Sequence, residues 1–297
     1  MGILIILCAS WGFGQITIKI ANHGISPVLQ GGIRSIGATV LLSAWMVFRR
    51  IPIFTKDGSL ICGIAAGAFF SFEFLLIYWG LAFTTASRSV IFLYTMPFMV
   101  ALGAKWFIPN ERLRFAQTLG LCFAFAGILI AFSKAFGQFD PRMLTGDLMI
   151  VGAAALWAAV TILIKISPLL RIHPAKTLFY QLASSAILLP LGSIVMGEPG
   201  VTNLTPLVAA CIVYQTVWVA FITYLAWFWV VQRYPAPRLA SFMFLTPVFG
   251  VLSGAYFLGE PLTPSLLLTL TLVATGIFLV NHPGGSNTQQ VTEAPEH

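Results

Sequence analysis

The stretch IFLYTMPFMVALGAKWFIPNERL, residues 91–113, decides the fold because SFMFLTPVFGVLSGAYFLGEPL, residues 241–262, repeats its plan. Each stretch places a threonine one or two residues before a proline and continues with apolar residues. The first stretch then ends in Glu-Arg-Leu, and the second ends in Glu-Pro-Leu. The two prolines, Pro97 and Pro247, stand 150 positions apart in a chain of 297 residues. A pattern that returns after half the chain indicates an internal duplication.

The likeness between the two halves extends beyond these stretches. An offset of 150 lays residues 78–88 over residues 228–238, and an offset of 146 lays Trp11 over Trp157. The features keep the same order in both halves, and the offset drifts by only a few residues. We therefore interpret the chain as two copies of one unit.

The composition is that of a protein embedded in a lipid bilayer. The chain is 58% hydrophobic and 8% charged, with a mean hydropathy of +0.92, whereas a soluble domain carries about 25% charged residues. A soluble fold of this composition would expose large apolar patches to water. The net charge is +7, but the basic residues stand singly between apolar runs, so we expect no binding of nucleic acid.

Glycine, proline and charged residues divide the apolar sequence into ten candidate membrane spans. A spanning helix needs about 20 mostly apolar residues, and such stretches cover residues 2–21, 28–48, 59–80, 85–107, 115–133, 146–166, 177–196, 206–230, 237–257 and 263–281. The first repeat then occupies residues 1–140 and the second repeat residues 141–282. Residues 283–297 are polar, and we expect them to form a disordered cytoplasmic tail.

Lysine and arginine residues predict the orientation of the spans. If the N-terminus is cytoplasmic, eleven of them lie at inner loops and helix ends and four at outer ones, and positive charge is enriched on the inner side. Because each half has five helices, the second half enters the membrane inverted. The sequence thus predicts an all-α integral membrane protein with ten transmembrane helices in two inverted-topology five-helix repeats. We expect it in the inner cell membrane, with both termini in the cytoplasm.

Five motifs give the chain a resemblance to a known family. They are ASWGFGQITIKIA at 9–21, TMPF at 95–98, LTPV at 245–248, PNERL at 109–113 and GEPL at 259–262. With these motifs the chain resembles the EamA-type, ten-helix branch of the drug/metabolite transporter superfamily over about residues 1–281. The resemblance implies export or exchange of small metabolites, commonly amino acids. The aromatic-rich composition is also similar to that of exporters of aromatic amino acids.

Aromatic residues deep in the spans are the candidate substrate-binding groups. Trp11 and Trp157 lie too deep for the aromatic belts at a membrane surface, and Gln15 shares the face of Trp11 one turn away. Tyrosine and tryptophan combine an apolar ring with a polar end, which suits an amphipathic or aromatic solute. We expect helices one, three, four, six, eight and nine to enclose a central chamber with Trp11, Gln15, Tyr78, Tyr94, Trp157, Tyr214 and Trp227. Simple packing is the alternative for any one of them.

Glu73 is the acidic residue that lies deepest in a predicted span. A lone carboxylate is costly in a bilayer, so Glu73 should face protein or water and have a positive partner. Arg34 and Arg88 are the candidate partners, and Lys19 lies near the outer end of the first helix. We expect these four residues to act as gating or ion-pairing groups, with a purely structural ion pair as the alternative. The positions in the second half that match Arg34, Glu73 and Arg88 hold Gln181, Thr223 and Arg238.

Pro97 and Pro247 lie inside predicted spans. A proline in a helix interior removes a hydrogen bond and kinks the helix. We expect the two prolines to act as hinges, and a fixed kink that shapes the bundle is the other reading. The two roles are compatible with each other.

Together these features predict a secondary transporter that exports small metabolites by alternating access, above all amino acids with aromatic or hydrophobic side chains. Its partners are a small-molecule substrate and the lipid bilayer, and we expect a monomer. The sequence has no Walker motif, no metal-ligand spacing and no CxxC pair, so we expect no cofactor, no metal and no catalytic residues. Export of other metabolites or of drugs is an alternative. An intramembrane enzyme would need a convergent catalytic set, and a passive channel would need rings of charge or a carbonyl filter.

Overall fold

Helices make up most of the part of the chain that the structure describes. The computed structural model describes residues 2–53, 55–81, 83–84, 89, 92–108, 115–131, 141–234, 239, 242–258, 268, 271–272, 274–276 and 278–279. This part of the chain contains no β-strand, and its one extended pairing is an isolated antiparallel bridge between Ile25 and Val201.

Nine helices of three or more turns lie within the described residues, several of them opened by a proline. They are α1 (Gly2–Ala21), α2 (Pro27–Phe48), α3 (Leu60–Gly80), α4 (Met96–Phe107), α5 (Phe115–Ala131), α6 (Pro141–Ile166), α7 (Pro174–Val195), α8 (Pro206–Arg233) and α9 (Leu245–Leu258). A single 3₁₀ turn, Pro168–Leu170, joins α6 to α7. Proline is the first residue of α2, α6, α7 and α8, a position where its missing N–H has no partner to lose.

Six of these helices are long and apolar enough to cross a membrane. They are α1, α2, α3, α6, α7 and α8, and a shorter apolar helical segment, Phe115–Gly127, lies in α5. The chain is therefore an all-helical, multi-pass membrane protein, as its composition predicts. The described helices α4 and α9 are shorter than the fourth and ninth predicted spans. The tenth predicted span, 263–281, is described only at separate positions.

A break in the helical winding precedes both α4 and α9. Residues 92–95 run from a short helical piece into a turn, and residues 242–244 do the same in the second half. Pro97 and Pro247 therefore lie in the first turn of a helix, whereas the sequence pattern predicts prolines in a helix interior. At a helix start the proline costs no intrahelical hydrogen bond, because the first N–H groups have no partner within the helix.

The middle of α8 is wound as a π-helix. This stretch, Tyr214–Thr223, lies between two α-helical stretches, Pro206–Val213 and Tyr224–Arg233. In a π-helix each N–H binds the carbonyl five residues back, so the turns are wider than those of an α-helix. Such turns are frequent at functional sites, and this one places Gln215 in the interior of the bundle, where it is 1% exposed.

The centre of the bundle is an antiparallel pair of helices, α2 and α7. A Cβ atom on Gly32 would stand 2.7 Å from the ring of Pro190, so the backbone of α2 touches that proline directly. At the other end of the pair, the rings of Trp45 and His173 lie 6.3 Å apart. Gly32 is near the start of α2 and Pro190 near the end of α7, so the two helices run in opposite directions.

The other helices pack around this pair in two sets with matching arrangements. α3 packs against α6 and α7, while α8 packs against α1 and α2. α4 packs against α6, while α9 packs against α1. Glycine permits close approach in both sets: a Cβ on Gly67 would lie 2.5 Å from the carbonyl oxygen of Tyr180, and one on Gly12 would lie 2.7 Å from the amide nitrogen of Gly250.

At one end of the bundle, Glu198 joins the connection after α7 to the start of α2. Its two carboxylate oxygens accept the backbone N–H groups of Val28 and Leu29, each at 3.0 Å. The hydroxyl of Ser193 donates to the same carboxylate at 2.6 Å. The first N–H groups of a helix lack intrahelical partners, so this carboxylate caps α2 and complements its dipole.

At the opposite end, Asp57 joins the connection after α2 to the start of α7. The ammonium nitrogen of Lys176 lies 2.6 Å from Asp57 Oδ2, and the Lys176 side chain is 3% exposed. Ser59 donates its N–H and its hydroxyl to Asp57 Oδ1 at 3.0 and 2.5 Å. The bond from Lys176 is the largest cause that holds the pKa of Asp57 below its usual range, followed by the bonds from Ser59 and Thr55.

We expect Glu198→Ala to destabilise the protein because it uncaps two N–H groups at the start of α2. Loss of a helix cap costs about 0.5–2 kcal/mol, and the melting temperature in detergent micelles measures it. Glu198→Gln keeps one acceptor and should lose less. Thr202→Ala is the matched control, because the Thr202 side chain is exposed in the same connection and its N–H bond to Gly24 is retained. An unchanged melting temperature for Glu198→Ala would contradict the capping role.

We expect the bond between Lys176 and Asp57 to stabilise the fold at neutral pH and to weaken in acid. The folded pKa of Asp57 is lowered, so the stabilisation is present above the unfolded pKa of about 3.9 and is lost as the pH falls through the folded pKa. The difference in melting temperature between wild type and Asp57→Asn should stay constant from about pH 5 to 8 and shrink below about pH 4. The same difference measured in a Lys176→Met background should be much smaller. A difference that grows in acid would show that the sign is wrong.

Candidate binding cavity

A cavity of about 100 Å³ lies in the middle of the bundle, and we call it the central cavity. Residues of α1, α2, α3, α6, α7 and α8 line it, together with residues 93–94 before α4. A space of this size holds several water molecules. Both sets of helices contribute, so the central cavity lies between the two halves of the chain.

Aromatic side chains form one wall of the central cavity. The indole N–H of Trp11 donates to the hydroxyl of Thr223 at 2.8 Å, which holds the ring in place. The Trp11 ring meets Trp157, Tyr224 and Trp227 edge-on, with centroid distances of 6.3, 5.9 and 5.4 Å. Aromatic pairs favour such edge-to-face contacts, so the four rings support one another as a continuous apolar surface.

Two charged side chains face the central cavity from α2 and α3. Arg34 is 2% exposed and Glu73 is 4% exposed. The guanidinium carbon of Arg34 lies 4.2 Å from the ring centroid of Phe74 and 5.9 Å from that of Tyr224, which are cation–π distances. Arg34 Nε and Nη2 and Glu73 Oε2 have no hydrogen-bond partner in the protein.

Neutral polar groups complete the lining. The hydroxyl of Tyr78, the Oε1 of Gln181 and both side-chain amide atoms of Gln215 are buried without a hydrogen-bond partner. Buried polar groups are normally satisfied, so this concentration around one cavity marks a place where a polar ligand or water completes the bonds. Within the described part of the chain, no three His, Cys, Asp or Glu side chains converge as metal ligands do.

Five of the seven predicted binding residues line the central cavity, namely Trp11, Tyr78, Tyr94, Trp157 and Trp227. Tyr214 lies outside the lining. Its hydroxyl donates to the carbonyl of Ser10 at 3.0 Å, and its ring meets Phe13 edge-on at 5.3 Å. The side chain of Gln15 is outside the described part of the structure.

Two of the four predicted gating residues line the same cavity. These are Arg34 and Glu73. Lys19 is exposed in the last turn of α1 and is not part of the lining. Arg88 lies outside the described residues. The structure therefore brings together one basic and one acidic residue from the predicted set.

The predicted lining left out the second and seventh helices, and the predicted binding residues left out Gln181, Gln215 and Tyr224. Arg34 and Gln181 give α2 and α7 a share of the lining, while no described side chain of α9 belongs to it. The duplication contains the signal, because Gln181 matches Arg34 at an offset of 147 and Tyr224 matches Phe74 at an offset of 150. Gln215 has no such signal.

Asp147 is a second buried carboxylate, which the predicted spans place at the end of a span, near the membrane surface. It is 2% exposed and accepts a hydrogen bond from the Thr84 hydroxyl at 2.7 Å. The predicted sixth span begins at residue 146, which puts Asp147 at its edge. The helix α6 begins at Pro141, so Asp147 lies in its second turn.

The comparisons with known proteins agree with this picture. Among similar proteins, the uncharacterized transporter YoaV of Bacillus subtilis is 24% identical over 278 residues, which cover 91% of this chain and 92% of that protein. A probable amino-acid metabolite efflux pump of Salmonella typhimurium is 26% identical over 278 residues, which cover 91% of this chain and 90% of that protein. A protein of known crystal structure shares the fold, with a TM-score of 0.78, 17% identity, and coverage of 94% of this chain and 96% of that one.

The model of the EamA-like transporter family matches residues 1–133 and residues 144–282. These two stretches together cover nearly the whole chain. The family and the named relatives are transporters and not enzymes. The resemblance noticed in the sequence motifs is thereby confirmed, and the chain belongs to the EamA-like transporter family of the drug/metabolite transporter superfamily.

Proposed function

We propose that this protein is a secondary transporter of the inner membrane that exports small metabolites, chiefly amino acids with aromatic or hydrophobic side chains, by alternating access. The observation that carries the proposal is the central cavity, which combines a wall of aromatic rings with buried polar groups that have no protein partner. The printed name of the Salmonella relative, an amino-acid metabolite efflux pump, supports the substrate class.

We propose a ten-helix architecture with two inverted repeats, covering residues 1–140 and 141–282. The two separate stretches matched by the family model support this division. Trp11 and Trp157 occupy matching positions in the two halves, and their ring centroids lie 6.3 Å apart in an edge-on contact. A residue meets its own repeat mate only near the axis that relates the two copies, so this contact supports an axis through the central cavity.

The direction of the helices supports the inversion. The second helices of the two halves, α2 and α7, are antiparallel, as an inverted repeat requires. The pairing of α3 with α6 and α7 is mirrored by the pairing of α8 with α1 and α2. With the charge bias of the loops, this arrangement supports a cytoplasmic position for both termini and for the tail, 283–297.

The aromatic residues that line the central cavity are the proposed substrate contacts, and the predicted roles of Gln15 and Tyr214 stay predictions. Pro97 and Pro247 are the proposed hinges, since each stands just after a break in a helix. The central cavity is enclosed by a single chain, which favours a monomeric transporter.

A counterflow panel tests the proposed function. Purified protein in liposomes is preloaded with each of the twenty amino acids, and uptake of the same radiolabelled amino acid is measured. We expect saturable, stereoselective counterflow that is strongest for aromatic and large aliphatic amino acids. Flux that does not saturate would indicate a channel. Counterflow of none of the twenty amino acids would reject amino acids as the substrate class.

We expect Trp11→Ala to reduce counterflow by about tenfold or more, since it removes three edge contacts worth about 0.5–1.5 kcal/mol each. Trp11→Phe should have an intermediate effect, and Thr223→Val separates the hydrogen bond from the ring contacts. Trp106→Ala is the matched control, because Trp106 is a tryptophan of α4 that is 69% exposed. Equal losses in Trp11→Ala and Trp106→Ala, at equal yield of folded protein, would argue against a binding role for Trp11.

We expect cysteines placed at opposite ends of the bundle to react from opposite sides of the membrane. In a cysteine-free background, His23→Cys and Thr202→Cys should be labelled by an impermeant reagent added outside cells. Lys56→Cys and Arg171→Cys should be labelled only after the membrane is opened. All four side chains are exposed. Labelling of Lys56→Cys in sealed cells would overturn the proposed orientation.

A further inference from the structure

We propose that Arg34 and Glu73 form a binding site for a zwitterion, in which Arg34 binds the carboxylate of an α-amino acid and Glu73 binds its ammonium group. This inference rests on the proposed function and deepens it. It assigns the recognition of the two ends of the substrate to two particular residues, and it makes both charges a requirement for transport.

The first observation is that each side chain keeps buried polar atoms that have no hydrogen-bond partner inside the protein. Arg34 and Glu73 are at least nine-tenths buried, at 2% and 4% exposure. Two nitrogens of Arg34 and one oxygen of Glu73 are without hydrogen-bond partners, and all of them belong to the lining of one cavity. Buried polar atoms that lack a hydrogen bond are costly, so a group that enters the central cavity and bonds to them is bound favourably.

The second observation concerns how Arg34 is held. The guanidinium lies 4.2 Å from the centroid of the Phe74 ring and is also within reach of Tyr224. A cation–π contact helps to fix the guanidinium and leaves Nε and Nη2 without a hydrogen-bond partner. The planar fork of donors matches the geometry of a carboxylate, which arginine binds through two parallel hydrogen bonds. Arg34 is therefore positioned and still has donors to offer.

The third observation is the balance of charge in the lining. Among the described residues, the lining has one basic and one acidic side chain, and its other polar groups, such as Tyr78, Gln181 and Gln215, are uncharged. A simple cation would leave Arg34 unpaired, and a simple anion would leave Glu73 unpaired. A small molecule with both charges satisfies both residues at once, and in an α-amino acid the two charged groups are joined through a single carbon.

The apolar part of the ligand has a matching surface. Trp11, Trp157 and Trp227 form the aromatic wall of the same cavity. A zwitterion with an aromatic or aliphatic side chain can thus place its charges between Arg34 and Glu73 and its side chain on the tryptophan rings. Apart from Arg34 and Glu73, the described lining residues are uncharged, so they call for no charged side chain on the ligand.

Competition by half-ligands tests the inference on wild-type protein. In the counterflow assay with radiolabelled L-phenylalanine, 3-phenylpropionate lacks the ammonium group and 2-phenylethylamine lacks the carboxylate. We expect each to compete at least about tenfold more weakly than L-phenylalanine, because a site built for a polar group strongly rejects an analogue that lacks it. If L-leucine is the better substrate, 4-methylpentanoate and isoamylamine are the equivalent probes. Competition by either half-ligand as strong as that of the amino acid would overturn the inference and leave the proposed transport intact.

Two variants then assign each charge to its residue. In Glu73→Gln, the advantage of L-phenylalanine over 3-phenylpropionate should fall by about tenfold, while its advantage over 2-phenylethylamine remains. Arg34→Gln should show the reverse pattern, again by about tenfold. Arg171→Gln and Glu198→Gln remove a charge outside the central cavity and should change neither ratio. If both half-ligands gain equally in each variant, the charges act on stability alone and the assignment is wrong. Because the competition on wild type requires no variant to fold, it decides the zwitterion requirement in every case.

Discussion

The close approach of three helices at Gly31 and Gly32 is the constraint on which the rest of the structure depends. A Cβ atom on Gly31 would lie 2.6 Å from the Tyr78 ring of α3, and one on Gly32 would lie 2.7 Å from the Pro190 ring of α7. Any side chain at either position would push α2 away from its neighbours. Arg34 follows within one turn, so the same contact sets its depth beside Phe74. The backbone thus places the charged part of the cavity, and the side chains fill in what that spacing allows.

Much of the fold was predictable, because hydropathy and helix punctuation are local properties. The predicted starts of α1, α2, α3 and α8 agree with the structure to within a residue, whereas α6 begins five residues earlier than expected. The breaks before α4 and α9 were not predictable, since apolar residues run through them and packing decides where the winding stops. The buried charges Arg34 and Glu73 stood out by their cost in lipid, and the deep tryptophans by their depth. The depth of a residue in a span does not say which face of the helix it occupies. Tyr214 was therefore expected in the central cavity, but its hydroxyl bonds to the carbonyl of Ser10 instead.

At each end of the bundle a carboxylate in a connection holds the start of a helix, but the group that the carboxylate binds differs. At one end a carboxylate in the connection after α7 holds the start of α2, through the backbone N–H groups of Val28 and Leu29. At the other end a carboxylate in the connection after α2 holds the start of α7, through the ammonium of Lys176. Each half therefore ties down the second helix of the other half. Separation of the halves at either end requires release of one carboxylate from its partner.

The π-helical stretch of α8 changes which of its residues lie on the same face of the helix. Gln215 and Tyr224 are nine positions apart, which is about two and a half turns of an α-helix and would point them to opposite sides. In π winding the same nine positions span about two turns, and both residues reach the central cavity. The wide turns rotate the faces of the α-helical stretch after them relative to those of the stretch before them. They bring the aromatic end of the helix, with Trp227 and Phe228, into register with the amide at its middle.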